Sequence, residues 1–128
     1  MNEKILIVED NPRDVRLVEM TLRAKGYTFL RATDGEEALD MAIRERPDLI
    51  IMDIQLPKVN GLKVTRKLRG IPGFSHTPII AVTACAMKGD RERVIEAGCD
   101  AYLPKPINTR ELPRVIVQML LQRQKYDT

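Results

Sequence analysis

The stretch Leu49-Ile50-Ile51-Met52-Asp53 decides the fold. Consecutive apolar residues without polar alternation read as a strand buried on both faces, the pattern of a parallel sheet covered by helices on each side. A carboxylate then closes the run. Lys4-Ile5-Leu6-Ile7-Val8 likewise ends in Glu9-Asp10, and Pro78-Ile79-Ile80-Ala81-Val82 ends in Thr83. A shorter run, Ala101-Tyr102-Leu103, leads into Pro104-Lys105-Pro106. In an open parallel α/β sheet, ligands sit in the crevice beyond the carboxyl ends of the strands. These tips therefore send acids, a hydroxyl and a lysine towards one crevice.

Working outward, short apolar runs alternate with longer amphipathic segments, which predicts βα units and a parallel sheet. The first helix is expected over Pro12–Lys25, with Asn11 as N-cap, Pro12 in the first helical position and Gly26 after the end. Val15, Val18 and Leu22 would share its inner face. A more polar second strand, Thr28–Ala32, fits a sheet edge. Helix two, Gly35–Glu45, carries Ala38, Leu39, Ala42 and Ile43 as its apolar stripe, and helix three spans Gly61–Arg69. Residues 70–77 hold two glycines and a proline and read as a loop. Helix four is expected over Lys88–Ala97, closed by Gly98. Helix five, Thr109–Arg123, has Asn108 and Glu111 at capping-box spacing, and Pro113 either bends it or shifts its start. There is no internal repeat, low-complexity tract or linker.

With 128 residues, the chain reads as one domain over 1–128, large enough for a real core. Hydrophobic residues make up 44% and charged residues 30%, ordinary for a soluble globular protein. The net charge is +3, but the basic residues are spread along the chain and the aromatics are three Tyr and two Phe. Without a basic stripe or stacking platform, no nucleic-acid partner is expected. No apolar run approaches the roughly 20 residues that span a bilayer, and no signal-peptide pattern is present. A cytoplasmic protein with no membrane partner is therefore expected. Cys85 and Cys99 lack metal-ligand spacing, the single His76 is remote in sequence, and helix four would hold the two thiols too far apart for a disulfide. Both read as small packing residues.

The strand-tip residues suggest a chemistry. Mg²⁺ takes oxygen ligands in octahedral geometry, usually only one or two of them protein carboxylates. Glu9, Asp10 and Asp53 can supply these, one of them through water, and the backbone carbonyl of Gln55 can add another. A cation bridging an acid and a phosphate leaves the protein little to do beyond positioning. Asp53 can serve as a carboxylate nucleophile towards a phosphodonor. Lys105 is a mobile point charge suited to pair first with Asp53 and then with a phosphoryl oxygen. Thr83 can donate its hydroxyl to such an oxygen, and Pro106 suggests a fixed turn, through a cis bond in one version. Singly, each residue has a bland reading: an acid capping a helix, a Lys-Pro turn. Their convergence at successive strand ends favours a site.

These residues closely resemble the receiver domain of bacterial two-component response regulators. The resemblance spans about Lys4 to Leu121. It rests on Ile-Leu-Ile-Val-Glu-Asp-Asn at 5–11, Asp48–Asp53, Leu56-Pro57 with Gly61, Pro78–Ala84, Gly98–Tyr102 and Lys105-Pro106. It implies a flavodoxin-like (βα)5 doubly wound sheet of strand order 2-1-3-4-5. It also implies Asp53 as phosphoacceptor. Mg²⁺ (or Mn²⁺) would be held by Asp10, Asp53 and the Gln55 carbonyl with help from Glu9, and Thr83 and Lys105 would contact the phosphoryl group. Thr83 and Tyr102 would form a switch pair that reshapes the surface of helix four, strand five and helix five. A histidine kinase or a histidine phosphotransfer domain would be the donor and a protein effector the target. The protein would be a monomer or a weak phosphorylation-dependent dimer, and not a turnover enzyme. The Gln55 side chain would tune hydrolysis, Ala84 would leave access to Asp53 open, and Lys58 and Lys63 would either bias partner choice or simply be solvated.

Rival readings fit less well. A haloacid-dehalogenase-type phosphatase needs a second Asp two residues after its nucleophile, where this chain has Gln55, and no cap domain is visible. A flavodoxin needs a phosphate-cradling loop after its first strand, where Asp10-Asn11-Pro12 would repel phosphate. A phosphorylation-independent docking module remains an alternative. The Met1 start and the polar ending after Arg123 favour a stand-alone receiver over one cut from a larger regulator or hybrid kinase.

Overall fold

A computed structural model describes residues 3–57, 59–84 and 89–127, with residues 124–127 as backbone only. Lys58, Cys85 and Lys88, named above, lie outside the described residues. The elements run β1 (Lys4–Val8), α1 (Pro12–Leu22), a 3₁₀ turn (Arg23–Lys25), β2 (Thr28–Ala32), α2 (Gly35–Glu45), β3 (Leu49–Asp53) and α3 (Gly61–Arg69). They continue with β4 (Ile79–Thr83), α4 (Asp90–Glu96), β5 (Ala101–Pro104) and α5 (Glu111–Asp127). The five strands form one sheet in the order β2-β1-β3-β4-β5, with every pairing parallel. This is the flavodoxin-like (βα)5 order.

Successive side chains on a strand point to opposite faces, and the core divides accordingly. Leu6, Val8, Ile50, Met52, Ile79 and Ala81 pack with α2, α3 and α4 through Ala38, Ala42, Leu62, Val64, Leu68 and Val94. Ile5, Ile7, Leu49, Ile51, Ile80, Val82 and Leu103 pack with α1 and α5 through Val15, Val18, Leu22, Leu112 and Ile116. β1, β3 and β4 are buried almost throughout, as two covered faces require.

The helix ends show why the chain folds this way locally. Asn11 caps α1 by accepting from the Arg13 amide at 2.9 Å, and Asn60 caps α3 by accepting from the Leu62 amide at 2.7 Å. α1 ends at Leu22, earlier than the expected Lys25, because the chain tightens into a 3₁₀ turn that Gly26 closes at φ 79°. α5 starts at Glu111 instead of Thr109: Asn108 accepts from the Arg110 and Glu111 amides at 2.9 and 3.0 Å. Pro113 then lies in the first turn, where a missing N–H leaves no intrahelical bond unmade. α4 begins at Asp90 behind Gly89, and β4 and β5 each extend one residue further, to Thr83 and Pro104. Ile43, expected in the α2 stripe, is 48% exposed and outside the core.

Candidate active site

The register of the sheet brings the strand tips level. Asp53 lies opposite Val82, and Thr83 lies opposite Pro104. Beyond them the Ile54 amide donates to the Val82 carbonyl at 3.0 Å and the Lys105 amide to the Thr83 carbonyl at 2.8 Å. Asp53, Thr83 and Glu9 are 4, 3 and 6% exposed, so three polar side chains are buried where the strands end. A buried polar group without partners is costly, and Glu9 and Asp53 are each paired through both carboxylate oxygens.

Lys105 is the hub. Its ammonium donates to Glu9 Oε1 at 2.6 Å, to Asp14 Oδ2 at 2.9 Å and, more loosely, to Asp53 Oδ2 at 3.4 Å. The Lys105–Pro106 bond is cis. The other oxygen of Asp53 accepts from the Gln55 amide at 3.0 Å, a turn of the Asp side chain onto its own backbone. The second oxygen of Glu9 accepts from the Asn11 amide at 3.1 Å. Each carboxylate is thus oriented from one side by an amide and from the other by the lysine.

The ionisation of the site follows from this packing. Burial pushes the Glu9 carboxyl from its ordinary 4.5 up to about 7; the bond from Lys105 opposes this and the adjacent Asp53 carboxyl reinforces it. For Lys105, burial alone would lower the pKa. Its bonds to Glu9 and Asp14 and the charges of Glu9 and Asp53 outweigh burial and raise it above the ordinary lysine value. The lysine is therefore a fixed positive charge at neutral pH.

One carboxylate oxygen from each of Glu9, Asp10 and Asp53 lies within 4.8 Å of the others. Asp10 is exposed, at the open side of the cleft. A cluster of oxygen donors alone, open to water on one side, suits a hard divalent cation that keeps several waters.

Face parity divides the remaining residues. Asp53 and Lys105 continue the alternation of residues facing α1 and α5, whereas Thr83 continues that of Ile79 and Ala81 towards α3 and α4. Tyr102 packs against the cluster that holds Ile79 and Ala81, half-buried, with its hydroxyl oxygen out of solvent. The expected site residues thus meet at one end of the sheet, with Glu9, Asp53 and Lys105 on the parity of one face and Thr83 and Tyr102 on that of the other. Gln55 is exposed just beyond the tip of β3.

Asp14 escapes the sequence reading. An acid in the first turn of a helix ordinarily reads as a partner of the helix dipole. Its contact with Lys105 joins residues 91 apart. The available signal was its place in the first turn of α1, the helix that leads directly from the tip of β1.

Comparison with known proteins agrees with this architecture. Residues 5–117 match the family model of the response regulator receiver domain. The polar-differentiation response regulator DivK of Brucella anthropi is 50% identical over 116 residues, covering 91% of this chain and 92% of that protein. The receiver domain of a sensor histidine kinase from Pseudomonas aeruginosa, crystallised with a magnesium ion coordinated in its active-site cleft, is 40% identical. It superposes with a TM-score of 0.85 over 94% of this chain and 98% of that one. The Mn²⁺-bound form of response regulator Rcp1 is 27% identical, with a TM-score of 0.77 over 89% of this chain and 88% of that one.

Proposed function

Since this chain belongs to the response regulator receiver family of two-component signalling, we propose that Asp53 is its phosphoacceptor and that residues 1–128 act as one receiver domain. The observation that carries this reading is the convergence of a buried Asp53, the Glu9–Asp10–Asp53 oxygen cluster and the Lys105 ammonium at one cleft. An Asp53 carboxylate oxygen attacks the phosphorus of a phosphohistidine on a histidine kinase or histidine phosphotransfer domain. The P–N bond breaks, the imidazole nitrogen keeps the electron pair, and an acyl phosphate forms.

Asp10, Asp53 and the Gln55 carbonyl, with Glu9 assisting, would hold Mg²⁺ or Mn²⁺, which would supply positive charge to the phosphoryl oxygens. Lys105 and the Thr83 hydroxyl contact the same oxygens. Those contacts exist only with the phosphoryl group present, so they supply the differential free energy that shifts the chain between two states. Tyr102 carries the shift to the surface of α4, β5 and α5, where Ile95 is 47% exposed, and a protein effector reads it there. The domain works in the cytoplasm and turns over no separate substrate. Among the described residues no helix is long and apolar enough to cross a membrane.

The test is intact mass after incubation with Mg²⁺ and acetyl phosphate. One added phosphoryl group is expected on the wild type, and none on Asp53→Asn or without the metal. The absence of any adduct with acetyl phosphate or a phosphohistidine donor overturns the reading and leaves a docking module.

A further inference from the structure

We propose that Asp14 is a positioning residue for Lys105: it anchors the lysine on the α1 side of the cleft and so sets how strongly Lys105 can grip a phosphoryl group on Asp53. The inference deepens the phosphoacceptor reading and rests on it. A lysine ammonium has three N–H donors, and here three carboxylates face it. The two short contacts, 2.6 Å to Glu9 and 2.9 Å to Asp14, draw it away from Asp53, whose 3.4 Å contact is beyond the usual range of an N–H···O bond. To close on a phosphoryl oxygen, the ammonium must loosen one of the short contacts, and its flexible four-carbon stem permits that movement.

The two anchors are not equivalent. Glu9 belongs to the oxygen cluster that suits the cation, and a cation there would share its charge. Asp14 lies outside that cluster. It is therefore the anchor that competes with the phosphoryl group for the lysine after the cation has bound. Its place supports this role. A first-turn acid that merely complemented the helix dipole would point to solvent, yet the Asp14 side chain is 27% exposed and pairs with a lysine that is 14% exposed. α1 covers the face to which Asp53 and Lys105 point, so its first turn lies within the lysine's reach.

The experiment measures binding of beryllofluoride, a phosphoryl mimic, at saturating Mg²⁺ by ¹⁹F NMR and calorimetry. Wild type, Asp14→Asn, Asp14→Ser, Lys105→Met and the Asp14→Asn/Lys105→Met double variant are compared, each first checked for folding by circular dichroism. Asp14→Asn and Asp14→Ser are expected to bind beryllofluoride about three- to tenfold more tightly than wild type. In the Lys105→Met background the gain is expected to vanish, since a double-mutant cycle isolates the coupling between the two residues. In the metal-free protein, exchange of the Lys105 ammonium protons, read by ¹⁵N NMR, is expected to quicken in Asp14→Asn. An unchanged affinity in both Asp14 variants, or a gain of equal size without Lys105, overturns the inference while leaving Asp53 as acceptor. Failure of the wild type itself to bind beryllofluoride removes the acceptor reading and the inference with it.

Discussion

Gly61 marks how closely the site is built. A Cβ at this position would stand 2.5 Å from the Asp53 carbonyl oxygen and 2.9 Å from the Ile54 Cα, while the Gly61 amide donates to the Ile54 carbonyl at 2.9 Å. The start of α3 can press against the acceptor strand only because it has no side chain there. Gly61→Ala is therefore expected to destabilise the fold by about 1–3 kcal/mol in chemical denaturation, the usual cost of overpacking, and to slow labelling by acetyl phosphate as the tip of β3 shifts. Glu9 makes a second prediction. Its folded-state pKa of about 7 lies above the ordinary 4.5. The metal-free folded protein thus binds more protons than the unfolded chain between these values, and this group's contribution, full below about 4.5, is lost as pH rises to about 7. Melting temperatures of the metal-free protein should show the difference between wild type and Glu9→Gln moving against the wild type across that window; a pH-independent difference would contradict it. The convergence of Asp53, Glu9 and Lys105 was legible in the sequence because each stands at or just beyond the end of an apolar run. Asp14 was not, because its partner is distant in the chain and its local setting looks ordinary.

Among the elements, the helices were legible wherever caps and glycines stood in their usual places, as for α2 and α3. Where the ends differ, local capping geometry decides, as in the late start of α5 behind Asn108. The loop after α3 shows what patterning cannot convey. Arg69, at the end of α3, donates to the carbonyls of Phe74, Thr77 and Gly98 at 2.7–2.9 Å and pairs with Asp100 at 2.8 Å. Asp100 in turn accepts from the Ile79 amide at 2.8 Å. One side chain thus ties three segments together at the end of the sheet opposite the site. Carbonyl acceptors belong to every residue, so no sequence pattern reveals such a hub. Arg69→Met leaves those carbonyls without their donor and is expected to cost about 1–3 kcal/mol in urea denaturation. Acetyl phosphate labelling of the folded variant should stay within about twofold of wild type; a larger loss would mean that the two ends of the sheet are coupled.

Across the whole molecule, the sheet separates two tasks. Glu9, Asp53 and Lys105 continue the alternation of strand residues that face α1 and α5, and Thr83 and Tyr102 the alternation that faces the other helices. Thr83→Ala should therefore leave Mg²⁺-dependent beryllofluoride binding within about tenfold of wild type while shrinking the amide shift changes that binding causes in α4 and β5. Loss of binding with full-sized shifts would reverse the assignment. The division has a consequence for how such a chain can vary in length. Side chains alternate along a strand, so inserting or deleting one residue within β3 would turn Asp53 away from Lys105 and aim it at the neighbourhood of Tyr102. The strands that feed the cleft cannot change by an odd number of residues without exchanging the chemical side of the sheet for the signalling side.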